Sequence, residues 1–168
     1  MSAKIINIYG APGVGKSTTA AGLFYELKKK GLKVELAFEW IKLKLYEGTP
    51  YPFVDQVYTF GKQFKQINQL KDKVDYIVTD SPILLSLMYG KSEGKEFLSF
   101  VRHCYFKFDN VDFVLERDHA YQSYGRNQNE EESNVMQKEI IKVLRDTGVQ
   151  YSLIKSSNAV NDIMKAIL

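Results

Sequence analysis

Gly10-Ala11-Pro12-Gly13-Val14-Gly15-Lys16-Ser17 fills the pattern G-x-x-x-x-G-K-[ST], and Thr18 continues it. The flanks matter as much as the match. The apolar run Ile5-Ile6-Asn7-Ile8-Tyr9 before it reads as a buried strand, and the residues after it carry a helical pattern. Glycines in such a loop let backbone N–H groups curl around phosphate oxygens, and the next helix turns its positive end toward them. Residues Gly10 to Thr18 are therefore expected to cradle a nucleoside triphosphate. Lys16 is expected to reach the β- and γ-phosphates, and the Ser17 hydroxyl to ligate Mg²⁺.

Outward from this loop, strand and helix patterns alternate, which predicts an α/β fold with a parallel sheet. The first helix is expected from about Gly15 to Lys30. Ala20, Leu23, Phe24 and Leu27 fall at i, i+3, i+4 and i+7. Lys28-Lys29-Lys30 suits the negative end of that helix, and Gly31 suits the residue just past it. A strand over Leu32–Phe38 alternates Val34, Leu36 and Phe38 with Lys33, Glu35 and Ala37, the pattern of an edge strand exposed on one face. Residues 39–73 read as helical, with a break at Gly48-Thr49-Pro50-Tyr51-Pro52. A nearly all-apolar strand, Val74–Thr79, ends at Asp80-Ser81-Pro82, and Pro82 suits the first position of a further helix. Helical segments fill 82–108 with a break near Gly90–Gly94, and Val111–Glu116 is a fourth strand. Residues 117–130 are polar and without apolar period, and read as a lid loop. A helix follows over about Glu130–Asp146, with Asn129 and Glu132 as a capping pair and Met136, Ile140, Val143 and Leu144 on one face. Tyr151–Lys155 is the fifth strand, and a last helix covers about Asn158–Leu168. The whole of 1–168 reads as one doubly wound domain, with ligands at the carboxyl ends of the strands.

The composition agrees with a globular domain and narrows its class. No stretch has the length and apolarity of a membrane span. Cys104 is the only cysteine, so the chain forms no internal disulfide and no cysteine metal cluster; it reads as a partly buried structural thiol. The expected compartment is the cytoplasm. Net charge is +3, unevenly spread: residues 28–73 hold ten lysines against five acids, or +5, leaving −2 elsewhere. Such a segment is a solvated face or a contact for a polyanion such as DNA.

Each of the first four strands ends in a group that suits chemistry on phosphates. Asp80, after Tyr76-Ile77-Val78-Thr79, is placed to hold Mg²⁺; the alternative is a helix cap. Glu39, after the second strand, is placed to take a proton from an attacking hydroxyl; the alternative is a solvated helix-start glutamate. Trp40 either lines the acceptor pocket or packs. Arg117 and Arg126 flank the lid, where arginine stabilises the charge of a transferring phosphoryl group; Gly125 offers a hinge. The amides Gln56 and Gln63, with Tyr58, Lys62 and Phe64, can meet a nucleobase, although Phe60, Phe64 and Ile67 also fit a buried helix face. His103 and His119 show no partner pattern for a triad or a metal.

Gly10–Ser17, Asp80-Ser81-Pro82 and the Arg117–Arg126 lid together resemble the small P-loop kinases: nucleoside, nucleotide and shikimate-type enzymes. The chain is also similar to compact phage-type single-domain kinases, whose wider group includes nicotinamide-riboside kinases and kinases of 5-hydroxymethyluracil in DNA. The resemblance implies a five-stranded parallel sheet in the order 2-3-1-4-5, ATP and Mg²⁺ as cofactors, and a nucleoside-like, nucleotide or nucleic-acid acceptor. Two departures bear on the acceptor. Nucleoside monophosphate kinases hold the acceptor phosphate with arginines between the second and third strands, and residues 39–73 contain none. Deoxynucleoside kinases carry an arginine after the third strand, where this chain has Ser81, yet their catalytic glutamate follows the second strand as Glu39 does. The balance favours a hydroxyl acceptor. A nucleoside monophosphate kinase, an NTPase switch and a binding module without turnover are the alternatives.

Overall fold

A computed structural model describes residues 2–38, 55–121 and 129–168. Its centre is β1 (Lys4–Tyr9), buried along nearly its whole length. The other strands are β2 (Val34–Ala37), β3 (Tyr76–Thr79), β4 (Asp109–Glu116) and β5 (Tyr151–Lys155). They form one all-parallel sheet in the order β2-β3-β1-β4-β5. This is the P-loop NTPase fold.

Helices cover both faces. On one lie α1 (Lys16–Lys29) and α6 (Ala159–Ile167). On the other lie α2 (Gln56–Leu70), the single turn α3 (Ser86–Tyr89), α4 (Lys95–Tyr105) and α5 (Glu130–Thr147). The period of two along β1 feeds both layers. Ile6 and Ile8 join Ala20, Leu23 and Leu27 of α1 and Ile163 of α6. Ile5 and Tyr9 join Phe60 and Ile67 of α2, Val101 of α4 and Ile140 and Leu144 of α5. Gly22 lets α1 and α6 approach closely, because a Cβ there would lie 2.7 Å from Val160 Cγ2. Phe60 packs edge-on against Phe97 and Phe100 at 5.7 and 5.9 Å, joining α2 to α4.

Several boundaries shift from those expected. β2 begins at Val34 and stops at Ala37 because its only ladder partner, β3, runs from Tyr76 to Thr79. Phe38 therefore leaves the alternation and is 62% exposed. Val74 and Asp75, expected in β3, precede it, and Asp75 instead accepts from the Lys33 N–H at 2.9 Å. Pro82 does not open an α-helix; it precedes a 3₁₀ turn, Ile83–Leu85. Cys104 is wholly buried between α4 and the sheet. The break at Gly48–Pro52 lies outside the described residues. The Asn129–Glu132 pair forms a full capping box, each side chain bonding the other's backbone N–H at 2.9 and 2.8 Å. Gly148 ends α5 in the left-handed region at φ 74°.

Beneath the sheet's functional rim lies a buried polar cluster. Tyr105 donates its hydroxyl proton to Asp112 Oδ2 at 2.6 Å, and Asn7 donates to Asn110 Oδ1 at 2.9 Å. Among the described residues Asp112 Oδ1 and the Tyr9 hydroxyl meet no hydrogen-bond partner in good geometry, although the two groups lie close enough to influence each other's protons. Burial pushes the Asp112 carboxyl above its ordinary value, against the pull of the Tyr105 bond. It pushes the Tyr9 phenol well up too, with the Asp112 charge adding to it.

Candidate functional site

The loop after β1 turns on three glycines with left-handed backbone: Gly10 at φ 148°, Gly13 at 84° and Gly15 at 97°. Gly10 also has no room for a side chain, since a Cβ would stand 2.6 Å from Val14 Cγ1 and 3.3 Å from the Leu115 carbonyl oxygen. Gly15 is the N-cap of α1 and offers no side-chain cap. The first N–H groups of α1 thus stay directed at whatever the loop encloses. Lys16 folds over the loop, its Nζ donating to the carbonyl oxygens of Gly10 at 2.7 Å and Ala11 at 3.1 Å. Ser17 and Thr18 are exposed, while Val14 beneath them is buried.

Parallel register sets the neighbours of this loop. Asn7 is level with Thr79, so Asp80 follows β3 just below the loop. Asp80 is 7% exposed, and its carboxylate carries no hydrogen bond or ion pair among the described residues. It caps nothing: the turn after it is preceded by Pro82 and has no side-chain cap. Beside it, the Thr79 hydroxyl oxygen accepts from the Ser81 N–H at 3.1 Å and from Gln63 Nε2 at 3.0 Å. Gln63 is thereby committed to the interior, with a further bond to the Ala37 carbonyl at 3.4 Å. It is not a reader of base edges, and Phe60 and Ile67 are core residues. No group of three or more His, Cys, Asp or Glu among the described residues could hold a metal alone. One buried carboxylate and one exposed hydroxyl instead match a hydrated Mg²⁺ shared with phosphate oxygens.

On the other side of β1, Tyr9 pairs with Val114, which brings Arg117 to the same rim. Its side chain is 13% exposed and held at one end. Nη2 donates to Asn134 Oδ1 at 3.0 Å and pairs with Glu130 Oε1 at 2.9 Å. The Tyr121 ring lies 5.0 Å from the guanidinium carbon. Nη1 is buried and has no hydrogen-bond partner among the described residues. The structure thus brings Lys16, Ser17, Asp80 and Arg117 to one rim. Glu39, Trp40, Gly125 and Arg126 lie outside the described residues.

Three groups of this rim escaped the sequence reading. Gln137 accepts from Ala11 N–H at 2.7 Å and donates to the Leu115 carbonyl at 2.9 Å. Ser133, buried, donates to the Pro12 carbonyl at 2.8 Å. Asp118 accepts from Ser156 Oγ at 2.6 Å, from the Ser157 N–H at 3.1 Å and from Ser157 Oγ. The bonds from Ser156 and Ser157 hold its carboxyl down at about 2. Ser156, Ser157 and Asn158 face Thr18 and Thr19 across an open cleft of about 180 Å³. Only the placement of Asp118 and the serine pair just past two strands hinted at this.

Comparison with solved structures finds the same fold in thymidylate kinase from Ehrlichia chaffeensis, at TM-score 0.66 and 13% identity over 99% of this chain and 100% of that one. It also finds it in NadR protein in complex with NR, at TM-score 0.69 and 14% identity over 97% of this chain. The likeness spans about half of that second chain, 51%. No curated protein matches. The AAA_28 family, described as an AAA domain, matches residues 5–160, from β1 into α6, and the chain belongs to that family.

Proposed function

We propose that residues 1–168 are a single kinase domain that moves the γ-phosphate of ATP to a hydroxyl of a nucleoside-like acceptor, with residues 117–130 as its lid. The observation that carries this reading is the convergence of loop, buried acid and half-buried arginine at the ends of β1, β3 and β4. Lys16 exchanges the Gly10 and Ala11 carbonyls for phosphate oxygens as ATP enters. Asp80 and Ser17 would hold Mg²⁺, which when bound neutralises charge on the phosphates. The base of ATP lies in the cleft between Thr18–Thr19 and Ser156–Asn158. Arg117, joined by Arg126 from the lid, stabilises charge on the transferring group. Glu39 accepts the proton that the acceptor hydroxyl gives up as its oxygen bonds phosphorus.

Support for a nucleoside-type acceptor comes from two sides. One solved structure sharing the fold is in complex with NR, whereas the one called a thymidylate kinase is named for a monophosphate acceptor and stands with the alternative. The segment 39–73 lacks the arginines that a monophosphate acceptor calls for. The phage-type likeness adds hydroxymethylated bases in DNA to the acceptor class, reached through the lysine-rich 28–73 segment. There Lys28 pairs with Glu35 and Lys29 with Glu26, both exposed, as on a solvated face. The deciding experiment offers MgATP with radiolabelled γ-phosphate against nucleosides, nicotinamide riboside, nucleoside monophosphates and 5-hydroxymethyluracil DNA. Saturable transfer to a hydroxyl supports the reading. Transfer to monophosphates alone replaces it with a nucleoside monophosphate kinase, and ATP hydrolysis without any acceptor replaces it with an NTPase switch.

A further inference from the structure

The first two turns of α5 break the apolar face that the helix carries further on. Ile140 and Leu144 enter the core, but Glu130, Ser133, Asn134 and Gln137 precede them on that side at spacings i, i+3, i+4 and i+7. All four are engaged at the phosphate rim. Gln137 ties Ala11 N–H to the Leu115 carbonyl, joining the loop to the end of β4. Ser133 holds the Pro12 carbonyl. Asn134 and Glu130 share Nη2 of Arg117. The helix is held at its far end by the core and at its near end by its own capping box. It therefore behaves as a rod touching both the phosphate loop and the arginine. These contacts span more than a hundred residues for the loop and only 17 for Arg117.

We propose that α5 is the positioning element of the nucleotide site: Gln137 and Ser133 set the phosphate loop, and Asn134 with Glu130 aims Arg117 at the γ-phosphate. The inference rests on the reading of the loop as an MgATP site. Two donors of Arg117 are thereby used to fix it, and Nη1, which has no hydrogen-bond partner among the described residues, is left for the ligand. A guanidinium held in this way loses little further freedom when it meets a phosphate. Gln137 acts through the loop, so its effect falls on any nucleotide. Asn134 acts through Arg117, so its effect falls only on a nucleotide with a third phosphate.

The test titrates the full chain calorimetrically with MgADP and with the magnesium complex of AMP-PNP, and melts each variant without nucleotide. Gln137→Met is expected to weaken both nucleotides about tenfold, the worth of one to two hydrogen bonds. Ser133→Ala is expected to weaken both in the same direction. Asn134→Ala is expected to leave MgADP affinity unchanged and weaken AMP-PNP severalfold. Asn134→Asp, which keeps the accepting oxygen, is expected to restore the AMP-PNP preference. Variants that melt lower yet bind both nucleotides like the wild type overturn the inference and leave α5 as packing. An equal loss of both nucleotides in Asn134→Ala overturns it too. Should Gln137→Met fail to fold, Ser133→Ala and Asn134→Ala read the same split. A wild-type chain that binds neither nucleotide overturns the MgATP reading, and this inference with it; wild-type binding that no variant changes overturns this inference alone.

Discussion

Lys16 carries its charge against two carbonyl oxygens of its own loop, and Asp80 is a buried carboxylate with no partner among the described residues. A nucleotide and its Mg²⁺ would offer each of them a partner of opposite charge. Lys16→Ala is therefore expected to lower phosphoryl transfer by about a hundredfold or more while the melting temperature holds, measured by initial rates and calorimetry. Asp80→Asn is expected to shift the Mg²⁺ dependence of the rate to higher concentration, read from rates across a magnesium series. Asp112 behaves differently. Its carboxyl is raised by burial, so the folded chain keeps the proton to higher pH than the unfolded chain does. Between those two values the folded state binds more protons, and stability falls as pH rises through the window. Asp112→Asn keeps an acceptor for Tyr105 and removes that dependence. Its melting temperature is expected to match or exceed the wild type at pH 7, with the difference closing as pH falls toward 4. The placement of Lys16, Ser17, Asp80 and Arg117 at one rim was legible because a short motif and the ends of apolar runs mark those positions. Gln137 and Ser133 were not, because a hydrogen bond across more than a hundred residues leaves no local pattern.

Capping and pinning decide the edges of the elements. The capping box at Asn129 and Glu132 closes the start of α5, and removing the cap by Asn129→Ala is expected to cost about 1 kcal/mol, lowering the melting temperature by roughly 2–4 °C in a chain of this size. Asp118 joins the end of β4 to the turn after β5, which forms one wall of the cleft beside Thr18. Asp118→Ala is expected to raise KM for ATP severalfold with a smaller change in kcat, checked by steady-state kinetics, because the pin shapes the base wall and touches no reacting atom. Helix starts and stops were legible where side chains carry the signal, as at Asn129 and Gly148. Strand ends were not, because they depend on a partner: β2 stops at Ala37 where β3 turns away after Thr79, and an alternation that continues through Phe38 cannot show it. Gln63 failed for a related reason, since an amide on an amphipathic helix looks the same whether it faces a ligand or the sheet.

At the scale of the whole molecule, alternating strands and helices made a parallel doubly wound sheet the expected result. The edge position of β2 was legible from its one-sided pattern, whereas the strand order came from resemblance and not from any single stretch. That order has a consequence in time. The ladder of β1 runs to β3 on one side, Lys4 opposite Tyr76, and to β4 on the other, Lys4 opposite Asp109. β2, the next strand to be made, is not its neighbour. During synthesis β1, the phosphate loop and α1 therefore leave the ribosome with no sheet to join until β3 has followed them. Pairings so distant in the chain are slow to close, and the apolar edges of β1 stay open meanwhile. The part of the chain that meets the nucleotide is made before either of the strands that flank it, and is held in place only once they have followed.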